Sequence, residues 1–460
     1  MTTPFPYSPA IPYVSARAES NRGTILMWLV LVYVALMQVQ VQVVPGFTGF
    51  RVAPADACLL VALILVPGQL KYRRSAWSLW HGLLLAVFAV GTMVDALSEG
   101  VLDRYIILNK DIGIGFLFLS YLAFTSVATD WSQIRRILRV FTISVAIENT
   151  IAVVAYLIAY RSHTDNLFTN YGATRLSGLM VDPNAYGGLL VTALVISEGT
   201  SWGSKPLFTA WSRVLMRTSL GLGILFTFSR SSWIALGLAL LLFCTVRRGL
   251  AFRLALGGAL GVAAVFAVMG SRFLEFFQRM ASRPQQIQDR FDLIHDAWVQ
   301  FEAHPWLGGG LGRFFVKEGI MIHNTAFWFL ADLGIVGLLV FIGFVVWFAH
   351  RAWLAFRLSP REERPVILAA AMAHLAILGL MMGIEGFYQR HWWMILALIA
   401  AGYTQALKSR AAGATPLAPI PAEGRQASLE QAPMSRFLGR RSENGLAHVS
   451  IGGSSMGDED

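Results

Sequence analysis

The sequence predicts an all-α fold: a polytopic integral membrane helix bundle of about twelve transmembrane helices, N-in and C-in, with one large periplasmic loop containing an amphipathic helix. Three observations predict it. Hydrophobic residues make up 55% of the 460 residues and charged residues only 14%, against about 25% charged in soluble domains. Apolar runs near the roughly 20 residues needed to cross a bilayer recur along the chain. Basic residues concentrate in alternate connections between those runs, as cytoplasmic loops require. The mean hydropathy of +0.56 excludes an ordinary soluble protein, a disordered chain and a nucleic-acid binder. The net charge of +10 then reports topology rather than an acidic partner.

In chain order, residues 1–23 form a polar cytoplasmic tail containing Arg17 and Arg22. The first apolar run begins near Thr24 and lacks a small-residue cleavage site, so it is expected to be retained as a helix. Spans are expected at about 24–44, 54–70, 76–96, 111–127, 138–160, 183–200, 211–228, 231–247, 250–270, 323–349, 365–385 and 391–407. The second is the weakest, being short and containing Asp56 and Pro67. With the N-terminus inside, the inner loops hold sixteen basic residues and the short outer loops seven. Trp131, Trp202, Trp392 and Trp393 fall at span ends, where interface anchors are expected. Cys58 and Cys244 lie in apolar runs, so neither a disulfide framework nor a cysteine-based metal site is expected. From Lys408 to the end the chain is rich in Ala, Pro, Gly and Ser and reads as a disordered cytoplasmic tail. The transmembrane domain is therefore expected to be 24–407.

The loop 271–322 falls outside the membrane. Ile287, Phe291, Ile294, Trp298 and Phe301 repeat at helical spacing and make one apolar stripe, so the loop should hold a helix lying on the membrane or on the bundle. The run His304-Pro305-Trp306-Leu307-Gly308-Gly309-Gly310 then turns the chain. The glycines are expected to form a flexible turn, because no strand precedes them and no Lys-Ser/Thr follows.

Chemistry-bearing residues collect at the outer helix ends. Arg175 precedes the Asp182-Pro183-Asn184 turn that opens the sixth span. Arg230 lies in the short hairpin Ser229-Arg230-Ser231, Arg290 on the loop helix, and His323-Asn324 at the mouth of the tenth span. Several outward arginines suit an anionic ligand, since guanidinium pairs with phosphate oxygens in bidentate fashion and stays charged. A nearby histidine can accept a proton near neutral pH. Together they suggest a diphosphate leaving group held by arginine and a hydroxyl activated by histidine. Each has an alternative reading: an arginine at a helix end also marks the interface, and Asp182 and Asn184 either orient these groups or cap a helix. Glu148 and His374, mid-span, fit either a proton relay or bundle-internal hydrogen bonds.

The run His323-Asn324, nine residues, Gly334, two residues, Gly337 resembles the signature of the O-antigen ligases. Gly178-Leu179-Met180-Val181-Asp182-Pro183-Asn184, Phe228-Ser229-Arg230-Ser231 and Ala303-His304-Pro305-Trp306-Leu307-Gly308 with Gly310-Leu311-Gly312 resemble further segments of the O-antigen ligase/polymerase superfamily, in order. The resemblance implies glycan transfer on the periplasmic face of the bacterial inner membrane, inverting and metal-independent, with no cofactor. The donor would be a glycan on undecaprenyl diphosphate, and the acceptor a hydroxyl of lipid A–core (ligase) or of a second lipid-linked repeat unit (polymerase). Carried over by motif, His323 would be the general base. Arg230 and Arg175 would stabilise the departing diphosphate, and Arg290, Asn324, Asp182 and Asn184 would contact substrate. A different class remains, a non-catalytic transporter or flippase of lipid-linked glycan, although neither a clear repeat nor a corresponding pair of broken spans is evident.

Overall fold

The computed structural model describes residues 13–42, 51–101, 103–162, 164, 166–170, 174–180, 182–282 and 284–414. Thirteen α-helices lie in these residues: α1 (Tyr13–Leu36), α2 (Pro54–Leu65), α3 (Leu79–Glu99), α4 (Ile112–Val127), α5 (Trp131–Ser162), α6 (Pro183–Gly199), α7 (Ala210–Phe226), α8 (Arg230–Ser282), α9 (Pro284–Ala303), α10 (Arg313–Glu318), α11 (Thr325–Leu358), α12 (Arg364–Leu380) and α13 (Arg390–Ala414). Two small antiparallel pairs complete it: β1 (Val41–Gln42) with β2 (Arg51–Val52), and β3 (Thr169–Asn170) with β4 (Arg175–Leu176).

Among the described residues, five segments are long and apolar enough to cross a membrane by length and composition: Leu79–Glu99, Ile106–Val127, Trp131–Ala159, Arg230–Ala267 and Thr325–Leu358. Shorter apolar helices run over Gly23–Leu36, Pro54–Leu65 and Arg364–Leu380. The fold is thus an all-α membrane architecture. The expected spans 231–247 and 250–270 both lie in α8, whose backbone leaves the helical region at Arg247 and again at Gly270, so helical pieces meet at kinks at the expected ends of the two spans. The second expected span ends early, at Leu65, because Pro67 opens a short 3₁₀ turn and has no N–H to continue the α-helix. At the chain ends, α1 begins at Tyr13 and α13 continues to Ala414, so helix extends past both apolar runs. The tails expected over 1–12 and 415–460 lie outside the described residues.

At the centre, α12 packs on α6 and α8, and α6 on α5 and α7. α13 is apolar all round over its middle turns and is correspondingly buried. Trp392 and Trp393 are fully buried there, not anchored at an interface as their positions suggested. Trp392 Nε1 donates to His374 Nδ1 at 3.0 Å and Trp393 Nε1 to the Phe387 carbonyl at 3.0 Å. Each indole thus finds a partner, and an aromatic cluster with Phe118 and Phe344 surrounds the rings. Glu148 also has an internal structural use: it accepts from Leu179 N at 3.0 Å and Tyr186 Oη at 2.6 Å.

α9 occupies the expected loop, but a different face meets the bundle. Leu293 and Ala297 are buried, with α11 packed against the helix, while Phe291 and Trp298 of the expected stripe are exposed. The physical reason is the solvent. Where lipid is the medium, large apolar groups face outward and small residues let helices approach.

The glycine run after α9 is fixed rather than flexible. α11 breaks at Gly334 (φ 65°, ψ −167°), and the segment 305–312 docks into the break. Gly309 N donates to Ala331 O (2.9 Å), Gly310 N to Asp332 O (3.0 Å) and Ile335 N to Pro305 O (2.9 Å). The buried Asp332 carboxylate accepts from Gly312 N (2.8 Å), Phe314 N (3.1 Å) and Trp328 Nε1 (2.7 Å). Replacing it leaves three donors without an acceptor, at about 1–3 kcal/mol for each buried group left unpaired. Asp332→Ala should therefore lower the thermal unfolding temperature of the detergent-solubilised protein far more than Asp332→Asn, which keeps an acceptor oxygen.

Candidate functional site: a cavity closed by the α12–α13 turn

The connection between α12 and α13, residues 381–389, is the hub of the site, and it is strapped to the start of α11. Thr325 N donates to Met381 O at 2.9 Å, and Thr325 Oγ1 both donates to Ile384 O and accepts from Gly386 N, each at 2.9 Å. Asn324 caps α11: its side chain accepts from Ala326 N at 3.0 Å and Phe327 N at 3.3 Å, and its Nδ2 donates to Met382 O at 3.3 Å. Gly383 is a close-approach position. A Cβ there would stand 2.7 Å from Ser231 Cβ and 3.6 Å from Arg290 Nη1. The turn therefore brings α8, α9 and α11 to one place.

His323, half-buried just before α11, faces a cavity of about 410 Å³. Asp182, Lys110, Glu385, Tyr388, Asp56 and Arg390 share its polar wall, and Leu60, Leu108, Ile112, Phe116 and Leu117 form an apolar wall. Lys110 and Glu385 are ion-paired and almost wholly buried. The Lys110 ammonium also lies 4.5 Å from the Trp328 ring centre and 5.1 Å from that of Tyr388, a cation–π arrangement. Lys110 belongs to a π-helical turn, Ile106–Asp111, that leads into α4; such wide turns re-aim side chains and recur at functional sites. Arg390 binds Asp56 in bidentate fashion, with Nε donating to Oδ1 at 2.9 Å and Nη2 to Oδ2 at 2.5 Å.

The imidazole of His323 is held below its ordinary pKa of 6.5. Burial is the main cause and the Arg290 charge acts in the same direction, while Asp182 and Glu385 oppose them. The neutral imidazole is thus favoured, while two carboxylates lie near enough to favour the charged form.

Arg175, Arg230 and Arg290 are not among the residues that line the cavity. Arg175, on β4, is buried; its Nε donates to Thr227 O at 2.8 Å and its Nη2 to Asn184 Oδ1 at 2.9 Å. Asn184 is therefore engaged with Arg175, and Asp182 caps α6 by accepting from Asn184 N at 2.8 Å. Thr227 leads into a strained turn: Phe228 has φ 48°, rare for a bulky residue and common where structure is held for function. Ser229 Oγ then accepts from Ser232 N at 3.3 Å, and α8 begins at Arg230, half-buried. Arg175 thus braces the turn that presents Arg230. The structure brings Asp182, Glu385 and Arg290 within electrostatic reach of His323. Arg175, Arg230 and Asn184 form a second group at the start of α6 and α8.

Sequence reasoning missed Lys110, Glu385, Arg390 and Asp56 as parts of one site. The available signal was charge in apolar surroundings: Asp56 inside an expected span, and Glu385 and Arg390 bracketing a short, glycine-bearing connection.

Part of this site, His323 with Arg230 and Arg290, falls within one stretch of chain; the rest of the cavity wall comes from outside it. Residues 218–342 match the O-antigen ligase family model. The match supports the O-antigen ligase/polymerase superfamily. It runs from within α7 to within α11 and contains Arg230, Arg290, His323 and both signature glycines. At Gly334 the signature has a steric meaning. A Cβ would lie 2.4 Å from Trp306 O and 2.6 Å from Gly308 N, and the φ is positive. The spacing from His323 to Gly334 in the matched segment is the length of helix between the histidine and the docked loop.

Proposed function

We propose that this chain transfers a glycan from undecaprenyl diphosphate to an acceptor hydroxyl on the periplasmic face of the bacterial inner membrane, in the manner of an O-antigen ligase. The observation that carries the reading is the two-sided cavity at His323. Its polar wall suits a sugar and a diphosphate, and its apolar wall from α2 and α4 suits the lipid that bears them. The proposal includes the twelve-span, N-in and C-in arrangement, which puts this end of the bundle outside.

His323 removes the proton of the acceptor hydroxyl as its oxygen attacks the anomeric carbon. The bond from that carbon to the diphosphate oxygen breaks, and the diphosphate leaves with the electron pair. Arg290 and Arg230 stabilise that developing charge, the electrostatic part of such catalysis. Arg175 acts as a positioning residue through Thr227, and Asp182 and Asn324 orient the groups around His323.

Purified protein given an undecaprenyl-diphosphate glycan should yield product. Product only with lipid A–core identifies a ligase, chain lengthening without it identifies a polymerase, and no product with either acceptor defeats the proposal.

The pH dependence follows from the same geometry. The active form of His323 is neutral, so activity is present above its pKa and is lost as pH falls through it. Because that value is lowered, the acid limb of kcat/KM should lie below 6.5. A limb above 6.5 would contradict the assignment.

A further inference from the structure

A second cavity, of about 420 Å³, lies at the opposite ends of α1, α2 and α4 from the His323 cavity. Its walls come from the first apolar turns of α1, the α2–α3 connection, the end of α4 and the start of α5. Lys71, Arg73 and Arg136 line it with Gln69, Gln133, Ser126 and Thr129, and among its described lining residues there is no Asp or Glu.

We infer that this cavity is a binding site for a phosphate-bearing anion. Three features support a built site rather than scattered cytoplasmic charge. First, Arg73 is held in place, its Nη2 donating to Ser126 O at 3.3 Å, yet its buried Nε has no hydrogen-bond partner among the described atoms. A buried guanidinium N–H left unpaired costs free energy that an acceptor oxygen would recover. Second, the Lys71 backbone is pinned to the same residue, Lys71 N donating to the Ser126 hydroxyl Oγ at 2.8 Å, so this side of the cavity is preorganised. Third, the Arg136 guanidinium sits 5.1 Å from the Trp28 ring centre, which orients a second planar fork beside the first. The volume falls within the roughly 300–1,000 Å³ of small-molecule sites.

Two sources offer this chemistry: the headgroup of an anionic phospholipid, and a free phosphate. The rim favours the lipid. Ile25, Trp28 and Val32 of α1, which lines the cavity, and Ile64 and Leu65 at the end of α2, which leads into the connection that lines it, are exposed apolar residues, a surface for acyl chains. Basic pockets between membrane helices on the cytoplasmic side take such headgroups. The inference does not depend on glycan transfer and uses none of the residues assigned to it.

Thermal unfolding of the purified full-length chain in neutral detergent tests it, with phosphatidylglycerol, inorganic phosphate and phosphatidylcholine as separate additions. Phosphatidylglycerol should raise the unfolding temperature and phosphatidylcholine should not. The apparent affinity should weaken by about tenfold or more in Arg73→Gln/Arg136→Gln. An equal response to inorganic phosphate would keep the site and assign it to a soluble anion. No response to either anion, or one undiminished in the double variant, would overturn the inference. If the double variant does not fold, Arg136→Gln alone, on an exposed side chain, supplies the same comparison.

Discussion

His323→Ala should abolish glycan transfer while leaving the unfolding temperature close to that of the parent protein. Removing a positioned general base costs about 10²–10⁴-fold in rate, and the upper part of that range is expected here because no second histidine lines the described cavity. The structural cost should be small. His323 lies in the connection before α11, and the bonds that hold this region belong to Asn324 and Thr325. A variant that keeps its fold and full activity would remove His323 from the mechanism.

The largest expected effect on stability is at Gly334→Ala. The substitution puts a Cβ against backbone atoms, Trp306 O and Gly308 N, which cannot swing aside as a flexible side chain would. It also forces a β-carbon into a positive-φ conformation, worth about 1–3 kcal/mol of strain by itself. The docked segment 305–312 must shift, and with it the hydrogen bonds to Ala331 and Asp332. Unfolding temperature and activity should fall together. Gly257→Ala, on an open part of α8 with nothing within 4 Å of the added carbon, is the matched control. It should be neutral or slightly stabilising, since alanine is the better helix former. Equal behaviour of the two variants would show that the interlock is not what Gly334 supplies.

Much of the helical layout was legible because the signal is local. A run of apolar residues near bilayer length announces a helix without reference to the rest of the chain, and His323-Asn324 with Gly334 and Gly337 lies within a single short stretch. The cavity was not legible, because its charges pair across great sequence distance. Lys110 and Glu385 are separated by 275 positions, and Asp56 and Arg390 by 334. Read singly, Asp56 looked like a flaw in a weak span and Arg390 like an ordinary outer-loop charge. The α9 stripe was visible, but its direction was not. A helical pattern marks an apolar face without saying whether that face meets protein or lipid, and here the small residue Ala297 turns inward. Nor did the sequence tell that Arg175 is spent on Thr227 and Asn184, since that requires knowing that β4 and the α7–α8 turn are neighbours.

The central claim is that the His323 cavity breaks the bond between glycan and diphosphate rather than carrying an intact lipid-linked glycan across the bilayer. Reconstituted protein in liposomes containing an undecaprenyl-diphosphate glycan, with acceptor on the side of the His323 cavity, separates the two. Release of undecaprenyl diphosphate in step with acceptor glycosylation, absent in His323→Ala, is the predicted result. Movement of intact donor between leaflets with no release of undecaprenyl diphosphate would contradict it.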